Sequence, residues 1–268
     1  MTRPEEKLKT LKKKIKSLER LAVAFSGGVD STFLLKTAHE VLGDGLLAIT
    51  ARTATFPERE FQRAEDFVKK LGVKHLVLSF DEFQVPGFSE NPPDRCYHCK
   101  KALFSQIKKI SQEHGIDYVA DGSNQDDLLD YRPGMKAVDE LGIISPLQEA
   151  GMTKEDIRIL SREMGLPTWN KPSFACLASR FLFGDEITPE KLRMVDRGEE
   201  YLLKLGFDQV RVRCHGKLAR IEVDAPSRSR FFDTNFMDQV AHEFKKIGFA
   251  YVSLDLHGYR TGSMNQTS

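Results

Sequence analysis

No apolar run in this 268-residue chain approaches the ~20 residues that cross a bilayer, and even the stretch from Leu21 to Phe25 ends at once on polar Ser26. The first twenty residues are rich in Lys, Arg and Glu and contain neither an apolar core segment nor a small-residue cleavage site. No secretory leader is read there, and a cytoplasmic location without membrane attachment is expected. Charge of one sign is lacking too: 40 Lys+Arg against 39 Asp+Glu leave a net charge of +1. Such a balance gives no whole-molecule field for tRNA or DNA, so nucleic acid is not expected as a partner and small substrates are favoured. Cysteine is scarce, at four residues. That is too few for a disulfide scaffold and better suited to metal or redox chemistry. Neither an internal repeat nor a low-complexity tract is present, and the length suits two modest domains, expected at 1–167 and 168–268.

What is there begins with Leu8, Leu11, Ile15 and Leu18 at helical spacing among lysines, an amphipathic opening helix with a solvated basic face. Strands expected at 21–25, 46–50, 75–80 and 118–120 then alternate with helices at 31–41, 57–71 and 100–114. The alternation predicts an α/β fold, a Rossmann-like parallel sheet covered on both faces. In such sheets ligands bind beyond the carboxyl ends of the strands. Here those ends are Ser26, Ala51 to Thr53, the loop after Phe80, and Asp121-Gly122. Thr153, with Asp156 three residues on, opens a further helix that runs to Gly165. Past 168, Thr188 caps a helix at 189–205, strands are expected at 209–213, 218–223 and 251–256, and a helix at 234–246. That order predicts a smaller α+β domain.

The strongest motif is Ser26-Gly27-Gly28-Val29-Asp30-Ser31, set between an apolar strand and an amphipathic helix. Paired glycines permit a turn in which successive N–H groups point at one anion, and the following helix start adds its positive dipole end. Ser26 and Ser31 add hydroxyls, and Asp30 can orient the loop or hold a magnesium ion. A Gly-Gly turn with a serine cap is the plain alternative, outweighed by six such residues in order after a strand. The lysine of a GxxxxGK(S/T) loop is missing, so the motif is not the kinase and ATPase type. It resembles instead the PP-loop of ATP-dependent adenylating enzymes, which implies ATP as cofactor, attack at the α-phosphorus and release of pyrophosphate. Pro146-Leu147 followed by Lys154, Ile157 and Arg158, and the strand end Asp121-Gly122-Ser123-Asn124, resemble two further segments of that superfamily. The candidate ATP-binding residues are Ser26, Gly27, Gly28, Asp30, Ser31, Ala51 and Gly122.

Arg95-Cys96-Tyr97-His98-Cys99-Lys100 places a CxxC at the mouth of a helix, where thiolates that bind zinc or iron, or a redox pair, are favoured. There is no second CxxC, so a third ligand must come from elsewhere. Cys176, in Lys171-Pro172-Ser173-Phe174-Ala175-Cys176-Leu177-Ala178-Ser179-Arg180, is the candidate, with small neighbours that let a substrate approach and Arg180 able to hold an anion. A small buried hydrophobe is the competing reading of a free cysteine, and it is preferred for Cys214. Arg211 and Arg213 share strand parity and can clasp a phosphate from one face, although spacing alone equally describes two solvated charges. Glu199, Glu200 and Glu222 can neutralise groups nearby, and helix-surface salt bridges explain the first two equally well.

Taken together, the PP-loop, Ser173 to Arg180, the strand Gln209 to Arg213 and the ending Leu256 to Asn265 resemble the LarE family, sulfur transferases of nickel-pincer cofactor synthesis, from about residue 5 to 265. The resemblance implies an adenine nucleotide alpha hydrolase-like first domain and a pyridinium carboxylate mononucleotide as substrate. It implies that ATP adenylates a carboxylate and that sulfur displaces AMP to leave a thiocarboxylate. It assigns Arg180, Arg211 and Arg213 to the substrate and Cys176 to the catalytic sulfur step. Some members sacrifice the sulfur of the matching cysteine; others hold a 4Fe-4S cluster on three cysteines. The presence of Cys96, Cys99 and Cys176 makes the cluster type the expectation, since three thiolates leave one iron open for a replaceable sulfide. A homo-oligomer, up to a hexamer, is implied by resemblance only. The competing functions are an iron–sulfur tRNA thiolase, disfavoured by the balanced charge, an ammonia-using adenylating ligase, and a nucleotide-binding sensor with a structural metal.

Overall fold

The computed structural model describes residues 3–129, 133–172 and 176–260. Residues 173–175 and 261–265, which carry part of the family resemblance, lie outside the described residues. The chain forms two compact units, one of residues 1–85 with 94–174 and one of residues 86–93 with 175–268. The division falls a few residues beyond the expected 167/168 boundary, and the second unit also takes in the loop at 86–93.

In the first unit a four-stranded parallel sheet has the order β3-β2-β1-β4. Its strands are β1 (Leu21–Ala24), β2 (Leu46–Arg52), β3 (Lys74–Ser79) and β4 (Val119–Ala120). The helices are α1 (Pro4–Lys16), α2 (Val29–Leu42), α3 (Glu58–Leu71), α4 (Arg95–Glu113), α5 (Pro133–Glu140), the single turn α6 (Pro146–Glu149) and α7 (Lys154–Glu163). Alternate strand side chains go to opposite faces, as a period of two requires. Leu21, Val23, Leu46 and Ala48 enter one core with Leu11, Phe33, Val68 and Ile157. Ala22, Leu47 and Ile49 enter the other with Phe104, Ile107 and Val138. The sheet is therefore covered on both sides, and β1 lies where the strand order reverses. The PP-loop leaves that strand, at the position where open α/β sheets bind their ligands.

α4 begins at Arg95 rather than Lys100. Its apolar stripe starts at Leu103, so its first two turns carry no hydrophobic signal, yet they hold the CxxC. α7 has the expected cap: Thr153 Oγ1 accepts from the Asp156 amide at 3.2 Å while Asp156 Oδ2 accepts from the Thr153 amide at 2.9 Å.

The second unit contains α8 (Pro189–Lys204), α9 (Thr234–Ile247) and a three-stranded sheet of β5 (Val210–His215), β6 (Leu218–Val223) and β7 (Tyr251–Leu254). β5 and β6 are antiparallel, β6 and β7 parallel. Gly198 of α8 packs so closely that a Cβ there would stand 3.2 Å from the Phe244 ring of α9. This is the expected α+β arrangement.

Candidate functional site

The loop after β1 is built from glycine. Gly27 has φ +63°, and a Cβ on it would meet the Ala64 Cβ of α3 at 3.0 Å. Gly28 is the extended residue preceding α2. Ser26 is exposed, and its hydroxyl lies 3.0 Å from the buried Ser31 hydroxyl. Gly122, just past β4, lies against the start of α2, where a Cβ would stand 3.1 Å from the Ser31 nitrogen. Asp121 beside it is buried and accepts from the Ser123 amide at 3.1 Å and the Ser145 hydroxyl at 2.8 Å. Ala51, paired with Leu78 near the end of β2, is half-buried. Thus the ends of β1, β2 and β4 bring the expected ATP residues to one edge of the sheet.

Two lysines reach this loop from far along the chain. Lys154, at the start of α7, pairs with Asp30 Oδ2. Burial raises the Asp30 pKa above the ordinary carboxylate value, and the Lys154 ammonium offsets only part of that rise. Asp30 Oδ1 is buried with no hydrogen-bond partner among the described residues. Lys171 donates to the Gly27 carbonyl at 2.8 Å and pairs with buried Glu60 at 2.5 Å. Arg158 of α7 in turn donates to the Trp169 and Lys171 carbonyls at 3.0 and 2.9 Å. Buried Glu82 accepts from the amides of Ala54 and Thr55 at 3.1 and 3.0 Å, shaping the loop after β2. Sequence reasoning missed Glu60 and Glu82 altogether and saw Lys171 only as the start of the cysteine segment. Each acts through a long-range contact with no local periodicity to reveal it.

Cys96 and Cys99 lie one helical turn apart on α4, reduced and half-buried, with an Arg95 Nη2–H donating to Cys96 Sγ at 3.3 Å. Cys176 is reduced and exposed. It precedes the short 3-10 turn Leu177–Arg180, and its carbonyl accepts from Arg180 Nη1 at 3.3 Å. As donors these thiols fit an iron–sulfur cluster in kind and in number. Among the described residues no group of three His, Cys, Asp or Glu side chains stands together to hold a metal ion. Cys214 is buried, and burial pushes its thiol up to about 11. That agrees with its expected structural role.

In the second unit Arg180, Arg211 and Arg213 are buried, not solvated. Arg180 and Glu199 are both 0% exposed and form a two-pronged pair at 2.7 and 3.0 Å. Burial opposes both charges, but each holds the other ionised: the Glu199 pKa lies below, and the Arg180 pKa above, its ordinary value. Glu199 is thus no helix-surface partner, whereas Glu200 does pair with Lys204 on the surface of α8. Arg213 donates to Glu222 at 2.8 Å and to the Ser179 carbonyl at 3.0 Å, which ties the Cys176 turn to β5. Arg211 lies opposite Glu222 in the ladder and under the Tyr259 ring, 5.0 Å from its centroid. Burial, then the nearby Arg180 charge, brings the Arg211 pKa down to about 10. The shared parity of Arg211 and Arg213 is present, and Glu199 and Glu222 explain how such residues enter a core.

A glycine-built loop at the switch point of a parallel sheet, with its lysines supplied from elsewhere, defines a PP-loop ATP-dependent enzyme. Residues 8–99 match the asparagine synthase family model. The chain is 40% identical over 259 residues to the pyridinium-3,5-bisthiocarboxylic acid mononucleotide synthase of Lactiplantibacillus plantarum, covering 96% of this chain and 93% of that one. It is 42% identical to an uncharacterized protein of Synechocystis sp. over 98% of each. A glutamine-hydrolyzing GMP synthase component of Archaeoglobus fulgidus is 23% identical over 80% of this chain and 74% of its own. The chain belongs to the LarE family and is an ATP-dependent, AMP-forming sulfur transferase. No helix among the described residues is long and apolar enough to cross a membrane.

Proposed function

We propose that the chain converts the carboxylates of pyridinium-3,5-biscarboxylic acid mononucleotide to thiocarboxylates for a nickel-pincer cofactor. The observation that carries this reading is the extent of the likeness to the Lactiplantibacillus plantarum synthase, which covers 96% of the chain and so includes the thiol- and arginine-bearing second unit as well as the ATP loop. A substrate carboxylate oxygen attacks the α-phosphorus of ATP, the bond to the β-phosphate breaks, and pyrophosphate leaves. A sulfur nucleophile then attacks the acyl carbon, and AMP departs with the bonding electrons. Ser26, Gly27, Gly28, Ser31, Ala51 and Gly122 surround ATP. Asp30 is the proposed Mg2+ ligand: its buried, partnerless Oδ1 is an acceptor suited to a hard cation.

Arg180, Arg211 and Arg213 are the proposed substrate residues. Among the described residues of the second unit, these three buried guanidiniums stand against two buried carboxylates, Glu199 and Glu222, so the field there favours an anion such as a nucleotide phosphate. Arg180 also positions Cys176 through its carbonyl. A 4Fe-4S cluster ligated by Cys96, Cys99 and Cys176 would supply a replaceable sulfur; the ligand set rests on the family resemblance and on the three reduced thiols. A homo-oligomer remains part of the proposal on the same resemblance.

The test is anaerobic iron and sulfide analysis of the wild type beside Cys96→Ala, Cys99→Ala and Cys176→Ala. Each substitution is expected to lower cluster content. Unchanged iron in all three contradicts the ligand set, and a dehydroalanine at Cys176 after one turnover, read by mass spectrometry, contradicts the cluster as sulfur source.

A further inference from the structure

Lys171 precedes the Cys176 segment, yet its ammonium lies on the phosphate loop. We propose that Lys171 is a positioning residue for adenylation, holding the Gly27–Gly28 peptide in the orientation that presents the Gly28 amide to a pyrophosphate oxygen. The inference rests on the ATP-binding reading of the loop.

In a planar trans peptide the carbonyl and the following N–H point in opposite directions. With Lys171 Nζ on the Gly27 oxygen at 2.8 Å, the Gly28 N–H points away from Lys171. That amide makes no hydrogen bond among the described residues, and it opens the run of amides that begins α2. A peptide flanked by two glycines is the easiest of all to rotate, because neither neighbour has a Cβ to resist. Gly27, at φ +63°, is held on one side by the close approach of Ala64. On the other side the hold is Lys171.

Lys171 is itself fixed. Glu60, 1% exposed, pairs with its ammonium at 2.5 Å, and Arg158 grips its carbonyl at 2.9 Å. Glu60 and Ala64 are one turn apart on α3, so one face of that helix supports both sides of the Gly27 peptide. The loop has no lysine of its own. Lys171 returns a cation to it from outside, on the carbonyl side, and leaves the amide side open for an anion. Removing the ammonium frees the peptide to turn and to present a carbonyl oxygen where a phosphate oxygen should lie.

The test is calorimetric titration of the full chain with inorganic pyrophosphate and with ATP, comparing the wild type with Lys171→Met, Lys171→Arg and Glu60→Gln. Lys171→Met is expected to weaken pyrophosphate by about tenfold, while Lys171→Arg, which keeps a charged donor, stays within about threefold. In turnover, Lys171→Met raises the KM for ATP and leaves the KM for the carboxylate substrate unchanged, a split that a general loss of structure does not produce. Glu60→Gln, which removes the partner that fixes the ammonium, is expected to weaken pyrophosphate by about threefold to tenfold. Unchanged pyrophosphate affinity in folded Lys171→Met overturns the proposal. So does wild-type pyrophosphate affinity in folded Glu60→Gln, which decides the matter even if Lys171→Met does not fold. A wild type that binds neither pyrophosphate nor ATP overturns the ATP reading of the loop and this proposal with it.

Discussion

Arg180 and Glu199 have no exposed surface, so neither charge is tolerable in the interior without the other. Glu199→Gln leaves the guanidinium buried beside a neutral amide and is expected to cost about 3–5 kcal/mol of stability, measured by denaturant unfolding. The pH dependence follows from the direction of the shift. Because the folded pKa of Glu199 lies below its ordinary 4.5, the stability it contributes is fully present above about pH 4.5 and is lost as the pH falls through the folded value. The advantage of the wild type over Glu199→Gln should therefore be level near neutrality and shrink in acid; an advantage that grows in acid contradicts the pairing. Gly27 gives a second test at this scale. With φ +63° and Ala64 3.0 Å from a Cβ, Gly27→Ala must displace the loop and should weaken ATP by at least about tenfold in calorimetry. The need for glycine there was legible in the bare sequence, as was the parity of Arg211 and Arg213. The burial of those arginines was not, because it depends on Glu199 and Glu222, which look like ordinary surface carboxylates until α8 and β6 are packed.

At the scale of elements, α7 links its own cap, the phosphate loop and the chain at 169–171. Its capping box fixes its first turn, from which Lys154 reaches Asp30, and Arg158 one turn later holds the chain at 169–171. Thr153→Ala is expected to cost about 1 kcal/mol of stability and to raise the KM for ATP with little change in that for the carboxylate substrate. Equal changes in both would show that the cap acts on the fold alone. This helix could be read in advance, since its start is written in Thr153 and Asp156. α4 could not be placed as well: its polar first turns give no apolar periodicity, so the helix that carries Cys96 and Cys99 starts at Arg95, earlier than the pattern implied. α5 and the single turn α6 were missed for the same reason, their apolar residues being too few to set a period.

For the whole molecule, the order of strands β3-β2-β1-β4 puts the PP-loop at the switch point, and the alternation of strands and helices announced that much. What alternation cannot reveal is which distant side chains complete the loop: Lys154, Lys171 and Glu60 arrive only once the sheet is wound. The near-zero net charge offered no whole-molecule field for a large polyanion while concealing, among the described residues, a buried excess of guanidinium in the second unit, where the anionic substrate is proposed to bind. In the proposed reaction, ATP cleavage at the α-phosphorus is coupled to thiocarboxylate formation. The coupling is read by incubating the anaerobically reconstituted protein with ATP, Mg2+ and pyridinium-3,5-biscarboxylic acid mononucleotide, and counting pyrophosphate, AMP and sulfur-containing product together. Pyrophosphate and AMP released one for each thiocarboxylate formed, and only when the mononucleotide is present, is the predicted result. Pyrophosphate release indifferent to the mononucleotide, or AMP formed with no sulfur gained by it, would rule out that coupling.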